Sequence, residues 1–501
     1  MKKLLIIISV FMVFSACSKL EDLNENTKDF TVVSGQSVYN GATRALCNQL
    51  NTPNVNNNNT LLYLQHWTTT TYLDEPRYDM VTRPIPANHQ NVLYRNVLSN
   101  YKEAAKLLTE RSIILDKITQ AQRDNQLAII EIMSVFTWSN IVETYGDMPY
   151  SEALDYTIPT PKYDDAATIY KDLIARLDAA LAKMNTAYAG MPAGFDNIYA
   201  PTTATAVPAS TVNWIKFGNS LKLRMGLVLA DADAAYAKTV VEAAAPNVYV
   251  KGDKTALTYL SASPNQNPYY TELVVSGRSD FVVANTLIDA MQPTTPVPAW
   301  SVLNLTVADP RLAIYATKTS ADIFRGGTPG MPNAYGNFSH VNPAIVTATR
   351  EIILMDYPET EFLLAEAAAR GFSVPGTVES HYNSAIEASI TYWGGKAADI
   401  TAYMAQPAVA YATAVGDWKQ KIGTQAWIAY WYRGMTAWTS FRRLDYPKLI
   451  APALHEEGID KVPVRYTYAV SEQTLNGANY TAAVAKIGTD HPLTKLFWDK
   501  Y

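Results

Sequence analysis

Residues 124–149 read DNQLAIIEIMSVFTWSNIVETYGDMP, and their periodicity decides the class of fold. Leu127, Ile130, Met133 or Ser134, Trp138 and Ile141 recur at three- and four-residue intervals, the spacing that lines side chains along one stripe of an α-helix. Gly146, Asp147 and Pro149 then stop the pattern where a helix ends. The same reading extends outwards. Asp164 and Asp165 open a helix in which Tyr170, Ile174, Leu177, Leu181 and Met184 recur, with the acids at the positive end of its dipole. Asn213 to Leu229 predicts another. Pro358 to Arg370 starts with proline in its first turn and stops at Gly371, while Thr377 to Trp393 stops at Gly394-Gly395. These two read as an antiparallel pair, with Ala365, Ala368, Ala385 and Ala388 small enough for close approach, and with Glu366 and Arg370 as an exposed i,i+4 ion pair. Upstream, Val38 to Leu50 reads as a helix that buries Cys47.

The expectation is an all-α, mostly helical chain of tetratricopeptide-like helix pairs in an α-α superhelix with long irregular loops, and without a strict 34-residue repeat. The 501 residues are 48% hydrophobic, ample for a core. The formal net charge is −5 and no basic run occurs, which excludes nucleic acid and anionic lipid surfaces as partners. At the N-terminus Lys2-Lys3 precede an apolar run from Leu4 to Phe14 and then Ser15-Ala16-Cys17, the form of a secretory signal peptide over residues 1–16. That run is about half the roughly 20 apolar residues a spanning helix needs. A cysteine at its end predicts cleavage before Cys17 and acylation of it, for example with palmitate, giving a chain anchored to a membrane without spanning it. The alternative is an ordinary signal peptide with a chance cysteine. Residues 17–59 are expected to be a lipidated segment followed by a solvated asparagine-rich linker, Asn54 and Asn56 to Asn59. Residues 60–501 are expected to be a single helical domain with a loop insertion over about 293–343. That insertion carries seven prolines and Gly326-Gly327, with aromatic residues interspersed.

Catalytic and metal signatures are sparse. The six histidines, His66, His89, His340, His381, His455 and His491, show no metal-ligand spacing, and no cofactor motif of the GxxxxGK[ST] or GxGxxG kind occurs. Ser99-Asn100-Tyr101-Lys102 fits SxxK formally, but it lies in a predicted helix without the companion motifs such enzymes carry. Asp231 and Asp233 begin like a calcium loop, lack its glycine and terminal glutamate, and read as polar residues ending a helix. A glycosidase needs only two carboxylates across a cleft, which 46 acidic residues could supply. A surface-anchored hydrolase and a non-catalytic helical scaffold therefore stand beside a binding protein as alternatives.

Several ordered segments resemble the SusD/RagB family of nutrient-binding outer-membrane lipoproteins, in its SusD-like branch. They are Leu23 to Asn26 (LNEN), Tyr145 to Leu154 (YGDMPYSEAL), Pro161 to Asp164 (PKYD), Trp214 to Arg224 (WIKFGNSLKLR), and Glu361 to Ala367 (EFLLAEA) with Arg370-Gly371. Gln425 to Ala429 (QAWIA), Gly434, Trp438, Arg442-Arg443 and Val462 to Tyr466 (VPVRY) complete the set. The resemblance implies a helical, non-enzymatic protein on the outer face of the outer membrane, lipid-anchored through Cys17. It also implies a hinged lid on a SusC-like TonB-dependent transporter, capturing oligosaccharides or, in some members, peptides. The motifs read as packing and identify the fold. Ligand contacts are sought instead among aromatic and arginine residues of loops: Trp67, Tyr72, Arg77 and Tyr78 after the asparagine stretch, and Trp300, Phe324, Arg325 and Tyr335 in the long irregular segment. No family motif covers those eight positions.

Overall fold

A computed structural model describes residues 33–111, 113, 117–199 and 207–501. Cys17, the leader at 1–16 and the LNEN stretch lie outside the described residues. The chain is helical, with short strands between helices, as the periodicity predicts. Helix α1 (Gly35–Leu50) begins where the Ser34 side chain accepts the Ser37 N–H. It packs on α2 (Ser99–Glu110) and α3 (Gln120–Tyr145). Thr119 and Gln122 open α3 with a reciprocal capping box, and Gly146 closes it at φ +88°, a left-handed value that favours glycine. The apolar stripe read from sequence is only part of what α3 buries. Ile129 and Ile132, off the stripe, are buried too, because α2, α4 (Ala166–Lys183) and α5 (Val207–Val228) surround it. Its apolar length could cross a membrane, yet 83% of the relevant window is buried inside the protein.

Further pairs follow. On α5, Gly226 lets α6 (Ala234–Ala244) come so near that a Cβ would lie 2.8 Å from Val241. Helices α7 (Tyr357–Ala369) and α8 (Val378–Trp393) form the expected pair, with Pro358 in the first turn of one and Gly394 left-handed at the end of the other. Ala365 and Ala385 are buried between them, whereas Ala368 and Ala388 are half-exposed. Beyond lie α9 (Ala397–Met404), α10 (Trp418–Ala429) and α11 (Gly434–Leu444). Two small antiparallel sheets tie distant segments together: β1 (Trp67–Thr69) pairs with β3 (Phe281–Val283), and β2 (Lys254–Leu257) with β4 (Ile352–Asp356).

The sequence motifs meet in the body of the molecule. Met148 and Pro149 pair with Asp164 and Tyr163, the Asp164 carboxylate accepts the Ser151 N–H at 2.7 Å, and Asp147 accepts the N–H of Ala166 at 2.9 Å. The YGDMPYSEAL and PKYD stretches are thus two halves of one clasp that turns the chain from α3 into α4. Arg224 of α5 reaches Glu359 of α7 at 2.7 Å, and Arg433 pairs with Asp356 at 2.8 Å and with Glu359. The predicted Glu366–Arg370 pair forms at 3.0 Å, but it is buried rather than exposed. Glu366 has no accessible surface and also holds Arg443 at 2.9 Å, while Arg370 continues to Asp231 at 2.7 Å. The reason is the position of α7, enclosed by α5, α8 and α10. Asp231, just past the end of α5, also meets Lys419 at 3.5 Å and so carries the charge network onward.

The asparagine stretch is not a solvated linker. Asn58 and Asn59 are buried, Asn58 donates to the Leu50 carbonyl at 2.9 Å and accepts the Thr60 N–H at 3.0 Å, and Asn54 donates to Glu272 at 2.6 Å. Amide side chains here satisfy backbone groups that a helix would satisfy itself. Since α1 also lies in the common core, residues 33–59 belong to the body, and no boundary falls at residue 60.

Candidate functional site

The loop face is built on the β1–β3 pair. Thr70 donates its N–H to the Asp280 carbonyl at 2.9 Å, and Asn333 donates its backbone N–H to the Thr70 carbonyl at 3.1 Å. The buried Asn333 amide also donates to the carbonyls of Thr69, Met331 and Thr328 at 2.9, 2.7 and 3.1 Å, so one side chain clamps residues 67–78 to residues 324–340. Gly326 and Gly327 serve the same junction. Gly327 exchanges hydrogen bonds of 2.8 Å with Val283 and Asn285, and a Cβ on Gly326 would collide with the Asn285 backbone.

Two rings emerge from this clamp, each two residues beyond it. Tyr72 is 42% exposed and Tyr335 is 38% exposed. The Arg278 and Arg83 guanidiniums lie 5.3 and 5.5 Å from the centre of the Tyr72 ring, at cation–π distance. Arg278 is held by Asp280 at 2.6 Å, and Arg83 by Glu75 and by the Asn56 side-chain oxygen at 3.0 Å. Tyr335 stacks on His340 with centroids 3.7 Å apart, and the His340 ring nitrogen donates to the Tyr335 carbonyl at 2.7 Å. Beside them Arg325 is exposed and lies 5.0 Å over the Phe338 ring.

The other expected contacts divide by burial. Trp67 is 1% exposed and packs among Tyr269, Phe281 and Trp431 at 5.6–5.7 Å, while Tyr78 has no accessible surface and takes a hydrogen bond from Gln65 at 3.2 Å. Both are withdrawn as ligand contacts, because their rings are committed to the core beneath the face. Arg77 is half-buried and donates to the Gly330 carbonyl at 2.9 Å, a positioning contact between the two loops. Trp300 and Phe324 are half-buried, Trp300 lying edge-on to Trp427 at 6.3 Å and Phe324 beneath Lys318 at 5.9 Å. Arg83, Arg278 and His340 were missed by sequence reasoning. His340 carries a local hint, five residues after Tyr335, whereas the two arginines that meet at Tyr72 are 195 positions apart in the sequence.

Burial fixes the charge state of the histidines beneath the face. His66, donating to the Trp427 carbonyl at 3.0 Å, is pushed down to about 3, and His89, between Gln49 at 3.0 Å and Asn140 at 3.3 Å, to about 4. Desolvation of the charged ring is the main cause in both. Among the described residues no group of three His, Cys, Asp or Glu is arranged to hold a metal ion. The face can therefore offer ring surfaces, guanidinium donors and backbone amides on a firm support, which suits reversible recognition of a ligand with apolar patches and hydroxyls.

Over residues 27–469 the chain matches the model of a SusD-like family described as starch-binding and associating with outer membrane. Among solved structures it is similar to a chitin-binding protein, with a TM-score of 0.74 and 24% identity over 93% of this chain and 100% of that one. It is also similar to a chitin-binding SusD homologue from Flavobacterium johnsoniae, with a TM-score of 0.72 and 22% identity over 92% of this chain and 98% of that one. A SusD homologue from Bacteroides uniformis has a TM-score of 0.74 and 21% identity over 93% of this chain and 99% of that one. These likenesses show a shared fold. No curated protein sequence matches the chain.

Proposed function

Because this chain belongs to the SusD-like family, described as starch-binding and associating with outer membrane, we propose that it captures oligosaccharides at the cell surface on the face bearing Tyr72 and Tyr335. In this reading the protein is acylated at Cys17, breaks no bond, and passes the intact sugar to a partner SusC-like TonB-dependent transporter over which it closes as a lid. The observation that carries the reading is the pair of exposed rings on loops clamped by Asn333. A ring face covers the C–H side of a pyranose, while neighbouring arginines donate to its hydroxyls. Loops already pinned lose little freedom on binding, so more of the contact energy appears as affinity. Arg325, Phe324 and Trp300 flank the rings as further contacts, and Arg77 positions them.

Calorimetric titration with maltoheptaose and chitohexaose, followed by chromatography of the recovered sugar, tests the proposal. Saturable binding of an intact oligosaccharide is expected. Time-dependent shortening of the sugar, or saturable binding of peptides with none of sugars, contradicts it.

A further inference from the structure

A second cleft, of about 500 Å³, lies on the body between α2, α3, α4 and residues 150–154, within the roughly 300–1,000 Å³ usual for small-ligand sites. Two stretches that stood out in the sequence converge there. The SNYK tetrapeptide supplies Tyr101 and Lys102, and the YGDMPYSEAL motif supplies Tyr150, Ser151, Ala153 and Leu154. We propose that this cleft is a separate binding site for neutral sugar rings, one or two at a time, on the helical body of the protein. The class of ligand rests on the glycan reading given above; the site itself rests on the following geometry.

One wall is the half-buried Tyr150 ring, backed edge-to-face by the buried Trp138 at 4.9 Å. The polar wall is tied together in advance: Arg176 holds Glu131 at 2.6 Å and the Tyr150 hydroxyl at 2.6 Å, and that hydroxyl donates to Asp172. Leu154 adopts a left-handed φ of +60°, uncommon for a branched residue, and its carbonyl accepts one N–H of Lys102 at 2.7 Å. Lys102 keeps two N–H donors for a ligand, and among the described residues Glu131 and Asp172 are each bonded through one carboxylate oxygen, leaving the other as an acceptor. A hydroxyl both donates and accepts, so adjacent hydroxyls of a sugar can use an ammonium and a carboxylate at once. An anion here meets Glu131 and Asp172, and a cation meets Lys102 and Arg176. A neutral polyol with one apolar side meets neither repulsion and finds a ring to cover.

The test uses protein carrying both Tyr72→Ala and Tyr335→Ala, titrated calorimetrically with maltotriose and chitotriose. One weak saturable site for at least one of these sugars is expected to remain. Adding Lys102→Met, Asp172→Asn or the cleft-filling Ala105→Phe should weaken it at least tenfold, and melting temperatures show whether each variant is folded. No residual site in the double variant overturns the proposal, as does a residual site indifferent to all three changes in folded protein, or one that takes short peptides and no sugar. Failure of the loop-face reading looks different: sugar binding by the unsubstituted protein would then be insensitive to Tyr72→Ala and Tyr335→Ala and sensitive only to the cleft variants.

Discussion

The helical body buries its charges in pairs, whereas the loop face leaves rings and guanidiniums at the surface. Glu366 has no accessible surface and holds two arginines; Tyr72 is 42% exposed between two others. Both regions are rich in aromatic and arginine side chains, so residue type does not separate them. What separates them is solvent access: the arginines paired around α7 are at most 10% exposed, whereas Arg278 and Arg83, paired with Asp280 and Glu75, keep 52% and 27% of their side-chain surface. In the body the Arg224, Arg433 and Arg443 guanidiniums face carboxylates of α7 or of its capping residue Asp356, and these side chains are spent inside the protein. At the face the paired arginines and the rings stay partly open to solvent, which leaves contact area for something from outside.

The sharpest way to break this comparison is to treat the two regions alike. Glu366→Ala should destabilise by about 3–5 kcal/mol, because it strands the buried Arg443 guanidinium and takes one of two carboxylates from Arg370, and Trp67→Ala by about 3–5 kcal/mol, because it empties a packed aromatic site. Urea denaturation measures both, and losses below about 1 kcal/mol would show that burial at these positions has been misjudged. Tyr72→Ala and Tyr335→Ala should instead leave the urea midpoint unchanged and cost about 1–3 kcal/mol of sugar affinity each. A fall in stability without loss of affinity would move those rings into the body's category.

A smaller effect sharpens the comparison through pH. His66 and His89 ionise in the folded protein only near 3 and 4, against about 6.5 when unfolded. Below 6.5 the unfolded chain gains protons that the native state does not. The contribution of these two rings to stability should therefore fall as pH drops from about 6.5 towards 5, by up to about 1.4 kcal/mol per pH unit for each, while His381, whose bond to Glu361 outweighs its burial and raises it, acts in the opposite sense. His89→Gln, which can keep the bonds to Gln49 and Asn140, should reduce that slope by about half in urea titrations at pH 7, 6 and 5. An unchanged slope would mean that His89 is not held neutral.

Local features were legible in the sequence. The stop of α3 and the ends of α7 and α8 follow from Gly146, Pro358, Thr377 and Gly394, whose effects act within one helical turn, whereas α3 starts at Gln120 behind the Thr119 cap, four residues before the Asp124 from which the apolar stripe predicts it. The burial of Cys47 follows from the stripe it shares with Leu46 and Leu50. Properties set by remote neighbours were not legible. Glu366 and Arg370 are correctly paired by their spacing, but only the approach of α5 and α10 puts them inside. Asn58 and Asn59 read as linker by composition and are buried by the carbonyls they satisfy. Trp67 and Tyr72 sit five residues apart in one polar stretch, and their opposite fates depend on β3, more than 200 residues away. Gly326-Gly327 signalled a loop, while its function is close contact with Asn285.

The assignment of the main ligand contacts to the loop face, and of the buried family motifs to the fold, underlies these predictions. It is tested most directly by measuring affinity for maltoheptaose and chitohexaose together with melting temperature for the unsubstituted protein, Tyr72→Ala and Tyr335→Ala. For whichever sugar binds, affinity should fall by roughly tenfold or more in both variants while the melting temperature holds, as expected for exposed recognition rings. Unchanged affinity in both variants, or a melting temperature that falls in step with affinity, would contradict it.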